Sequence, residues 1–469
     1  MNRRDYLKMM GLFVAGSTTF SGSNAWDEEN SDETEKYVLP RGPEPSQPFD
    51  AIQWSRTVPV KYEVDVVVIG AGIAGIAAAA AAAHSGAKVA LIERFAVTGG
   101  MLTTGGVASF CGSMTRQGEV FDEIVSNLKE WNALKNNIFD HEILAIVLQE
   151  LLLKRQVKLL LHTRFADVVL QDGKITDCIL VGKSGVEAIR GKVFIDCSGE
   201  GDVARAAGCE IMKGRKKDGL QLPMSLMYFV RHVEPKDAAA QLPDGWFHPI
   251  KQQDHLPMTS IWPNGPRSNA IKIKIPMFDS TDTESLTAAE IQARRRMMEV
   301  HSFHQTVEKK PWKFDHCSTI VGIREGCRVV GDYVLTVDDL RAGRQFDDAV
   351  ARGEYYLDGH KPDDDKRTYI LSKDEMSVPP YQIPLRSLIA RDCTNLMVAG
   401  RCFSADQLAL SSARVSTSAS MMGQAAGITA ALACSSKCEI RNVDAAEVRK
   451  IVEERGGSTD LKLGGKVFG

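Results

Sequence analysis

Three glycines and one glutamate carry the clearest chemistry in the sequence. Gly70, Gly72 and Gly75 follow a continuous apolar run with the spacing G-x-G-x-x-G. The first glycine permits a tight turn, the second lets the backbone approach a pyrophosphate, and the third lets a helix pack closely on a strand. Glu93 follows about 20 residues later, where a carboxylate accepts hydrogen bonds from ribose hydroxyls. This spacing predicts a bound dinucleotide.

The flanking residues complete a βαβ unit. The β-branched run 64–69 predicts a strand buried on both faces, and residues 88–92 predict a second one. Between them, the alanine run 77–83 predicts a helix that lies close to the sheet, and Gly86 ends it. Such a helix directs its N-terminal amides at phosphate. The glycine-rich segment 97–106 suits backbone wrapped around a ligand, although an ordinary glycine-rich loop is the alternative.

Length and composition limit the classes of protein. A chain of 469 residues holds two sizeable domains and an additional segment. The formal net charge of -3 gives no electrostatic footprint for nucleic acid. Beyond the N-terminus no apolar run reaches the roughly 18 residues of a membrane span. We therefore predict no membrane span in the mature chain.

The N-terminus resembles a twin-arginine export signal. Arg3 and Arg4 precede Tyr-Leu-Lys, a mildly apolar stretch follows at 9–19, and Ser23-x-Ala25 offers a cleavage site. The resemblance implies a signal peptide at 1–25, transport of the folded protein by the twin-arginine machinery, and a periplasmic or extracytoplasmic location. A disordered basic leader is the alternative.

Changes of pattern along the chain predict the domain organisation. A second region with several prolines interrupts the nucleotide domain, whose last strand (395–400) and small-residue helix (416–432) come from late in the sequence. We predict an α/β fold, in which a Rossmann-like domain with a parallel sheet and a β-meander receives a mixed α+β substrate or cap domain as an insert. The predicted segments are a linker at 26–60, the nucleotide domain at 61–210 and 385–440, the insert at 211–384, and a C-terminal tail at 441–469.

The ten cysteines form no CxxC pair. This argues against a metal or cluster site and against the redox dithiol of a disulfide reductase. Most of the cysteines are predicted to be small buried apolar residues. In an exported protein, Cys434 and Cys438 are the pair that we expect a disulfide to join.

Together these segments resemble the FAD-dependent oxidoreductases of the glutathione-reductase-like superfamily. The resemblance points to the branch in which some members carry the label "xanthan lyase". It implies a Rossmann-like FAD-binding domain, with FAD as the cofactor. The four segments that carry it are 65–106, 196–208, 322–336 and 381–432.

The resemblance assigns cofactor contacts by position. The three motif glycines would hold the pyrophosphate, and Glu93 would hold the ribose. Residues 423–427 would point a helix N-terminus at the flavin, where free amides stabilise the negative charge of the reduced ring. Arg401 replaces the acid of the Gly-Asp pair found in many relatives, and it either forms a structural ion pair or contacts the flavin. The further implied FAD-binding residues are Arg94, Gly99, Gly100, Met101, Ala166, Gly199, Asp202, Gly400, Gln424, Ala425, Ala426 and Gly427.

No second G-x-G-x-x-G unit follows, so no NAD(P)H domain is visible and electrons pass directly between the flavin and a small organic substrate. We expect hydride transfer between a substrate C–H and flavin N5. Arg324, in a run typical of the family, is the predicted substrate-facing cation. His316 is the predicted base because its ordinary pKa lies near neutrality. Arg414 is expected to touch substrate or flavin; for both arginines, structural ion pairs are the alternative. Cys111 follows the glycine-rich segment, and its covalent attachment to flavin is a further hypothesis.

The leading interpretation is therefore an exported FAD-dependent dehydrogenase or oxidase acting on a sugar or polyol alcohol, with an unidentified electron acceptor. A redox-neutral FAD-containing lyase or isomerase is the second interpretation. A non-catalytic flavoprotein that binds a glycan is the third.

Overall fold

The computed structural model describes residues 39–238, 242–243 and 245–468. The predicted export signal and residues 26–38 of the predicted linker lie outside these ranges. Residues 39–59 contain no helix or strand. They are nevertheless anchored on the insert, because Ser46 Oγ donates to Glu284 Oε1 at 2.7 Å and the Gly42 amide donates to the Met277 carbonyl at 3.1 Å. The linker therefore belongs partly to the fold, contrary to the sequence-based expectation.

The strands and helices of the described residues are as follows. The strands are β1 Val60–Glu63, β2 Val66–Ile69, β3 Val89–Ile92, β4 Gly112–Ser113, β5 Leu134–Lys135, β6 Ile138–Phe139, β7 Lys158–Leu160, β8 Arg164–Gln171, β9 Lys174–Gly182, β10 Gly185–Arg190, β11 Val193–Asp196, β12 Ile211–Lys213, β13 Met224–His232, β14 Thr259–Pro263, β15 Ser268–Ile275, β16 Trp312–Cys317, β17 Cys327–Val329, β18 Ala349–Gly353, β19 Tyr381–Pro384, β20 Leu396–Val398 and β21 Val467–Phe468. The helices are α1 Ile73–His84, α2 Glu119–Glu130, α3 His141–Lys154, α4 Asp202–Ala206, α5 Pro235–Ala238, α6 Thr283–Thr306, α7 Val337–Ala342, α8 Gln407–Ala413, α9 Ser416–Ser436 and α10 Ala445–Glu454.

A parallel sheet in the order β20-β11-β2-β3-β7 forms the centre of the nucleotide domain. Strands β2, β3 and β11 are buried along their whole length, as continuous apolar runs require in a sheet covered on both faces. Strand β20 joins this sheet next to β11 although about 200 residues separate them in sequence. The predicted return of the chain to its first domain is confirmed.

Helices α1 and α9 pack against each other through small residues. The alanines at 77–82 in α1 are fully buried. A Cβ atom added at Gly423 would lie 2.0 Å from the Ala74 carbonyl oxygen, and one at Gly427 would lie 2.2 Å from that of Ala78. Because the two glycines are four residues apart, they share one face of α9 and let the backbones approach closely.

Two further sheets complete the architecture. The meander β8-β9-β10 is present as predicted, and β1 adds to it in parallel next to β10. The insert contributes an antiparallel sheet in the order β14-β15-β13-β16, and α6 packs with it around a second apolar core. The α/β fold with a Rossmann-like domain and a mixed α+β insert is therefore confirmed.

Two other sequence-based expectations concern cysteines and membrane spans. All ten cysteines lie in the described residues and are free thiols, so the pairing of Cys434 with Cys438 is wrong. Six of the ten are buried, which agrees with their expected role as small apolar residues. Among the residues that the structure describes, no helix is both long and apolar enough to cross a bilayer.

Candidate active site

A cavity of about 1140 Å³ opens at the carboxyl ends of the parallel strands and extends to the sheet of the insert. Ile69 and Ile92 line it from the ends of β2 and β3, and Met227 and Lys272 line it from β13 and β15. Ligands of open α/β sheets bind at this edge. The volume exceeds the roughly 300–1,000 Å³ of an ordinary small-ligand pocket, so it has room for a dinucleotide and a substrate.

The three motif glycines meet three separate geometric requirements. Gly70 has φ +96°, which a residue with a side chain rarely adopts. A Cβ at Gly72 would meet no atom within 4 Å, and this residue faces the cavity. A Cβ at Gly75 would lie 1.9 Å from the Gly70 carbonyl oxygen. Gly72 also caps α1 without any side-chain hydrogen bond, which leaves amides free for an anion.

Glu93 holds the glycine turn as well as lining the cavity. Its side chain is buried, with Oε2 accepting from the Ala71 amide at 2.8 Å and Oε1 from the Phe95 amide at 3.0 Å. A carboxylate has further lone pairs, so these bonds leave room for ribose hydroxyls. The neighbouring Arg94 also lines the cavity, with its guanidinium 4.7 Å from the Phe95 ring centre. The bracing role of Glu93 was not predicted.

The second glycine segment, residues 97–106, packs with its backbone against the glycine turn at 70–75. Gly99 donates its amide to the Ala71 carbonyl at 2.7 Å and has φ +108°. A Cβ at Gly100 would approach the Gly72 Cα to 3.1 Å. Gly99, Gly100 and Met101 all line the cavity. The segment is therefore placed where a ligand in the cavity would meet its backbone, and the wrapping of a ligand stays a prediction.

The other predicted cofactor residues of the strand ends also line the cavity; they are Ala166, Gly199, Asp202, Gly400 and Arg401. Arg401 Nη1 donates to Glu200 Oε1 at 2.9 Å. A Cβ at Gly199 would lie 2.3 Å from the guanidinium of Arg401, so the glycine makes space for this ion pair. The structural ion pair is therefore present, and the flavin contact of Arg401, which lines the cavity, stays a prediction.

The predicted helix terminus at residues 423–427 is wrong. Helix α9 begins at Ser416, and Val415, Ser416 and Ala419 of its first turns line the cavity. Gln424, Ala425, Ala426 and Gly427 are buried in the middle of the helix and do not line it. Within this stretch, Gly423 and Gly427 serve the packing against α1, whereas the Gln424 side chain lies against Gly118. The amides available to a cofactor are those after Val415, which caps the helix without a side-chain bond.

Two of the three predicted catalytic residues line the cavity. Arg324 and Arg414 do so, whereas His316 does not. His316 is half-exposed on β16, with Nδ1 3.1 Å from Asp315 Oδ2 and its ring stacked 4.4 Å from that of Phe229. The prediction of His316 as the base is therefore wrong, because its side chain does not line the cavity.

Asp358 lines the cavity and contacts two other lining residues, Arg414 and His360. Arg414 Nη2 donates to Asp358 Oδ2 at 2.9 Å, and His360 Nε2 lies 3.2 Å from Oδ1. Burial opposes ionisation of Asp358, but His360 and Arg414 outweigh it and hold the pKa well below its usual range. Burial lowers the pKa of His360 to about 4, so this imidazole is neutral near pH 7.

Lys272 and Arg324 are cations of the same cavity without a carboxylate partner. No carboxylate of the described residues lies within 4.0 Å of either side chain. Burial, reinforced by the charge of Arg324, lowers the pKa of Lys272 to about 8. Burial also lowers the pKa of Arg324 from its ordinary value.

Sequence reasoning missed Lys272, Asp358 and His360, although their spacing gave a signal. Lys272 alternates with isoleucines in β15, which predicts polar side chains on one face of a buried strand. Asp358 and His360 show the same period of two within an extended segment. Period alone does not indicate which face meets a cavity.

The fold and the site define an FAD-binding α/β flavoenzyme. The chain matches the model of the family "FAD dependent oxidoreductase" over residues 65–452, which is most of its length, and it belongs to that family. FAD is its cofactor, and the residues at the strand ends fit this group. The protein is an FAD-dependent oxidoreductase.

Comparisons with individual proteins add distant likenesses. No curated protein matches the chain. A geranylgeranyl bacteriochlorophyll reductase-like protein from Thermoplasma acidophilum is 14% identical, with 84% of each chain covered and a TM-score of 0.44. Anhydrotetracycline hydroxylase OxyS from Streptomyces rimosus is 12% identical, with 83% of this chain and 67% of that chain covered and a TM-score of 0.44. A flavoprotein/dehydrogenase from Cytophaga hutchinsonii is 15% identical, with 80% and 79% covered and a TM-score of 0.42.

Proposed function

We propose that this protein is an exported FAD-dependent dehydrogenase or oxidase that oxidises an alcohol carbon of a small organic substrate. FAD, when bound, supplies an acceptor for two electrons and a hydrogen at N5. The observation that carries the proposal is that Lys272 and Arg324 share a cavity with the nucleotide-binding glycines. A sugar or other polyol is the substrate class that the predicted extracytoplasmic location favours.

Lys272 is the proton acceptor in this proposal. It lines the cavity and forms no ion pair among the described residues, and with a pKa of about 8 a fraction of the amine is unprotonated at neutral pH. Oxidation of the alcohol to a carbonyl moves the hydroxyl proton to the lysine, while the carbon-bound hydrogen leaves with two electrons. Asp358 is unsuited to this role, because its hydrogen bond with His360 and its ion pair with Arg414 keep it ionised but weakly basic.

The test follows flavin absorbance near 450 nm while sugars and polyols are added to the FAD-loaded enzyme without oxygen, this band being typical of oxidised flavin. Bleaching by one compound supports the proposal and identifies its substrate class. We expect Lys272→Met to bind FAD and lose most of the bleaching rate. The matched control is Lys313→Met, which changes an exposed lysine of β16 in the same sheet. Consumption of a substrate without any bleaching would instead indicate a redox-neutral lyase or isomerase.

Export is the second part of the proposal. It is supported by the pair Arg3-Arg4 and the Ser23-x-Ala25 site in the sequence. A reporter placed after residue 25 should leave the cytosol, and Arg3→Lys with Arg4→Lys should retain it there. A reporter that stays cytosolic with both arginines present would refute export.

We further propose that the chain belongs to the glutathione-reductase-like superfamily, in the branch that includes proteins labelled "xanthan lyase". The support is the combination of the four sequence segments with the parallel sheet and the meander.

A further inference from the structure

We propose that the substrate carries a carboxylate, which Arg324 binds as a bidentate partner. This inference rests on the proposed function and names a substrate class for the same cavity. It departs from a neutral sugar or polyol, because the charges around the cavity are unbalanced.

Arg324 is a buried cation with little protein to compensate it. Its side chain lines the cavity and its residue is 6% exposed. Within the described residues, its sole hydrogen bond runs from Nη1 to the Pro223 carbonyl oxygen at 3.1 Å. A guanidinium has five N–H donors, so the Nε and Nη2 edge stays free. Burying such a charge without an anion is costly, and an anionic ligand would remove that cost.

The other charges at this end of the cavity do not balance Arg324. Asp358 is the carboxylate that acts most strongly on the pKa of Arg324, and its two oxygens already contact Arg414 and His360. Lys272 lines the same space without an ion pair among the described residues. Arg367, also on the lining, uses its Nη2 on the Thr259 carbonyl at 2.8 Å. Asp358 is therefore the one carboxylate set against these four cations, because Glu93 and Asp202, the other carboxylates of the described lining, are among the predicted FAD-binding residues.

A carboxylate fits the free edge of Arg324 better than a phosphate does. The two oxygens of a carboxylate lie in one plane and match two parallel N–H bonds of a guanidinium. A phosphate can accept the same two bonds, but its third oxygen and its second charge then need donors beyond that edge. Lys272 stays free for the alcohol proton, so an acid that also carries a hydroxyl satisfies both side chains.

The experiment compares acids with alcohols of matched carbon skeleton on the FAD-loaded enzyme. The pairs are glycerate with glycerol, lactate with 1,2-propanediol, and gluconate with sorbitol; glycerol 3-phosphate is the phosphate probe. Binding is read from the change in the flavin absorbance spectrum and from the Tm, both of which report a ligand that is not oxidised. We expect at least one acid to bind about 10- to 100-fold more tightly than its alcohol.

Variants assign the preference to Arg324. Arg324→Met should reduce the ratio of acid to alcohol affinity to about one without lowering the Tm of the ligand-free enzyme, because it removes an uncompensated buried charge. Arg324→Lys keeps a charge but loses the two-pronged geometry, and it should retain part of the ratio. If Arg324→Met fails to fold, Arg324→Lys still provides the test. Lys313→Met should retain the full ratio.

The outcomes separate this inference from the proposed function. Acids that bind through Arg324 but never bleach the flavin would support the carboxylate site and refute the oxidation of such substrates. Bleaching by neutral alcohols as strongly as by their acids would refute the carboxylate site and support the oxidation. Stronger binding of glycerol 3-phosphate than of glycerate, or no response to any acid, would also overturn the carboxylate site.

Discussion

Two substitutions within one motif, Gly72→Ala and Gly75→Ala, should have opposite effects on cofactor binding and on folding. A Cβ at Gly72 meets no protein atom within 4 Å, and φ is -70°, so alanine fits the apoprotein without strain. Alanine reduces the freedom of the unfolded chain, and we expect the apoprotein to gain about 0.4–1 kcal/mol in its free energy of unfolding. The same methyl group projects into the cavity where the pyrophosphate must approach.

The cost to FAD binding follows from the hydrogen bonds that the methyl group would disturb. Hydrogen bonds from backbone amides to a charged group contribute about 1.5–3 kcal/mol each, and displacement of the phosphate weakens at least one. Gly72→Ala should therefore raise the Kd for FAD by about 10- to 100-fold.

Gly75→Ala acts on packing instead. Its Cβ would lie 1.9 Å from the Gly70 carbonyl oxygen, whereas ordinary contacts begin at 3.4 Å, so α1 must move by the difference of 1.5 Å. Forcing a group into such a space costs about 1–3 kcal/mol or more.

The assay measures FAD affinity by titration of the apoprotein and stability by urea denaturation of the same apoprotein. Gly72→Ala should lose affinity for FAD and gain about 0.4–1 kcal/mol in its free energy of unfolding, and Gly75→Ala should lose stability. An unchanged Kd for Gly72→Ala would refute the placement of the pyrophosphate at this residue. Equal stability of Gly75→Ala and wild type would refute the packing argument.

Three further predictions concern buried charged and titratable groups. Burial lowers the pKa of His301 to about 4, so its contribution to stability is present above about pH 6.5 and is lost as pH falls towards 4. Between pH 7 and pH 5, the free energy of unfolding of His301→Phe should therefore fall by about 2 kcal/mol less than that of the wild type, as measured by urea denaturation. An equal fall in both proteins would contradict this prediction. The rate of flavin reduction should rise with pH up to about 8, because Lys272 must be unprotonated; a rate that is flat across this range in stopped-flow measurements excludes Lys272 as the base. Arg352 is fully buried and donates to the carbonyl oxygens of Asp460, Leu463 and Thr115 at 3.0, 2.7 and 3.0 Å. Arg352→Met should therefore lower the free energy of unfolding by about 3 kcal/mol and detach the C-terminal segment. Faster proteolysis of that segment would show the detachment.

The nucleotide-binding unit could be predicted because its determinants are local. A buried strand, a glycine turn and an alanine helix follow one another in sequence. The steric need for glycine arises from atoms a few residues away, as the Gly70 carbonyl requires glycine at position 75. The meander and the return of β20 to the sheet were predictable for a related reason. Alternating apolar and polar residues indicate half-buried strands, and short apolar runs indicate buried ones.

Only the tertiary structure decided which polar side chains line the cavity near Lys272 and Arg324. His316 and His360 both have an aspartate one or two residues before them in the sequence, yet the first is half-exposed on β16 and the second lines the cavity from segment 355–369. The resemblance placed a helix N-terminus at residues 423–427, but these residues lie in the middle of α9, where Gly423 and Gly427 meet the backbone of α1.

The sequence by itself thus determined the fold class, the cofactor class and the glycine turn, which depend on short-range sterics and periodicity. The tertiary structure decided which part of α9 lines the cavity and that Lys272 and Arg324 share this cavity with Asp358. Those relations join residues more than 30 positions apart, and the charge that each carries there depends on burial and on partners that no local pattern encodes.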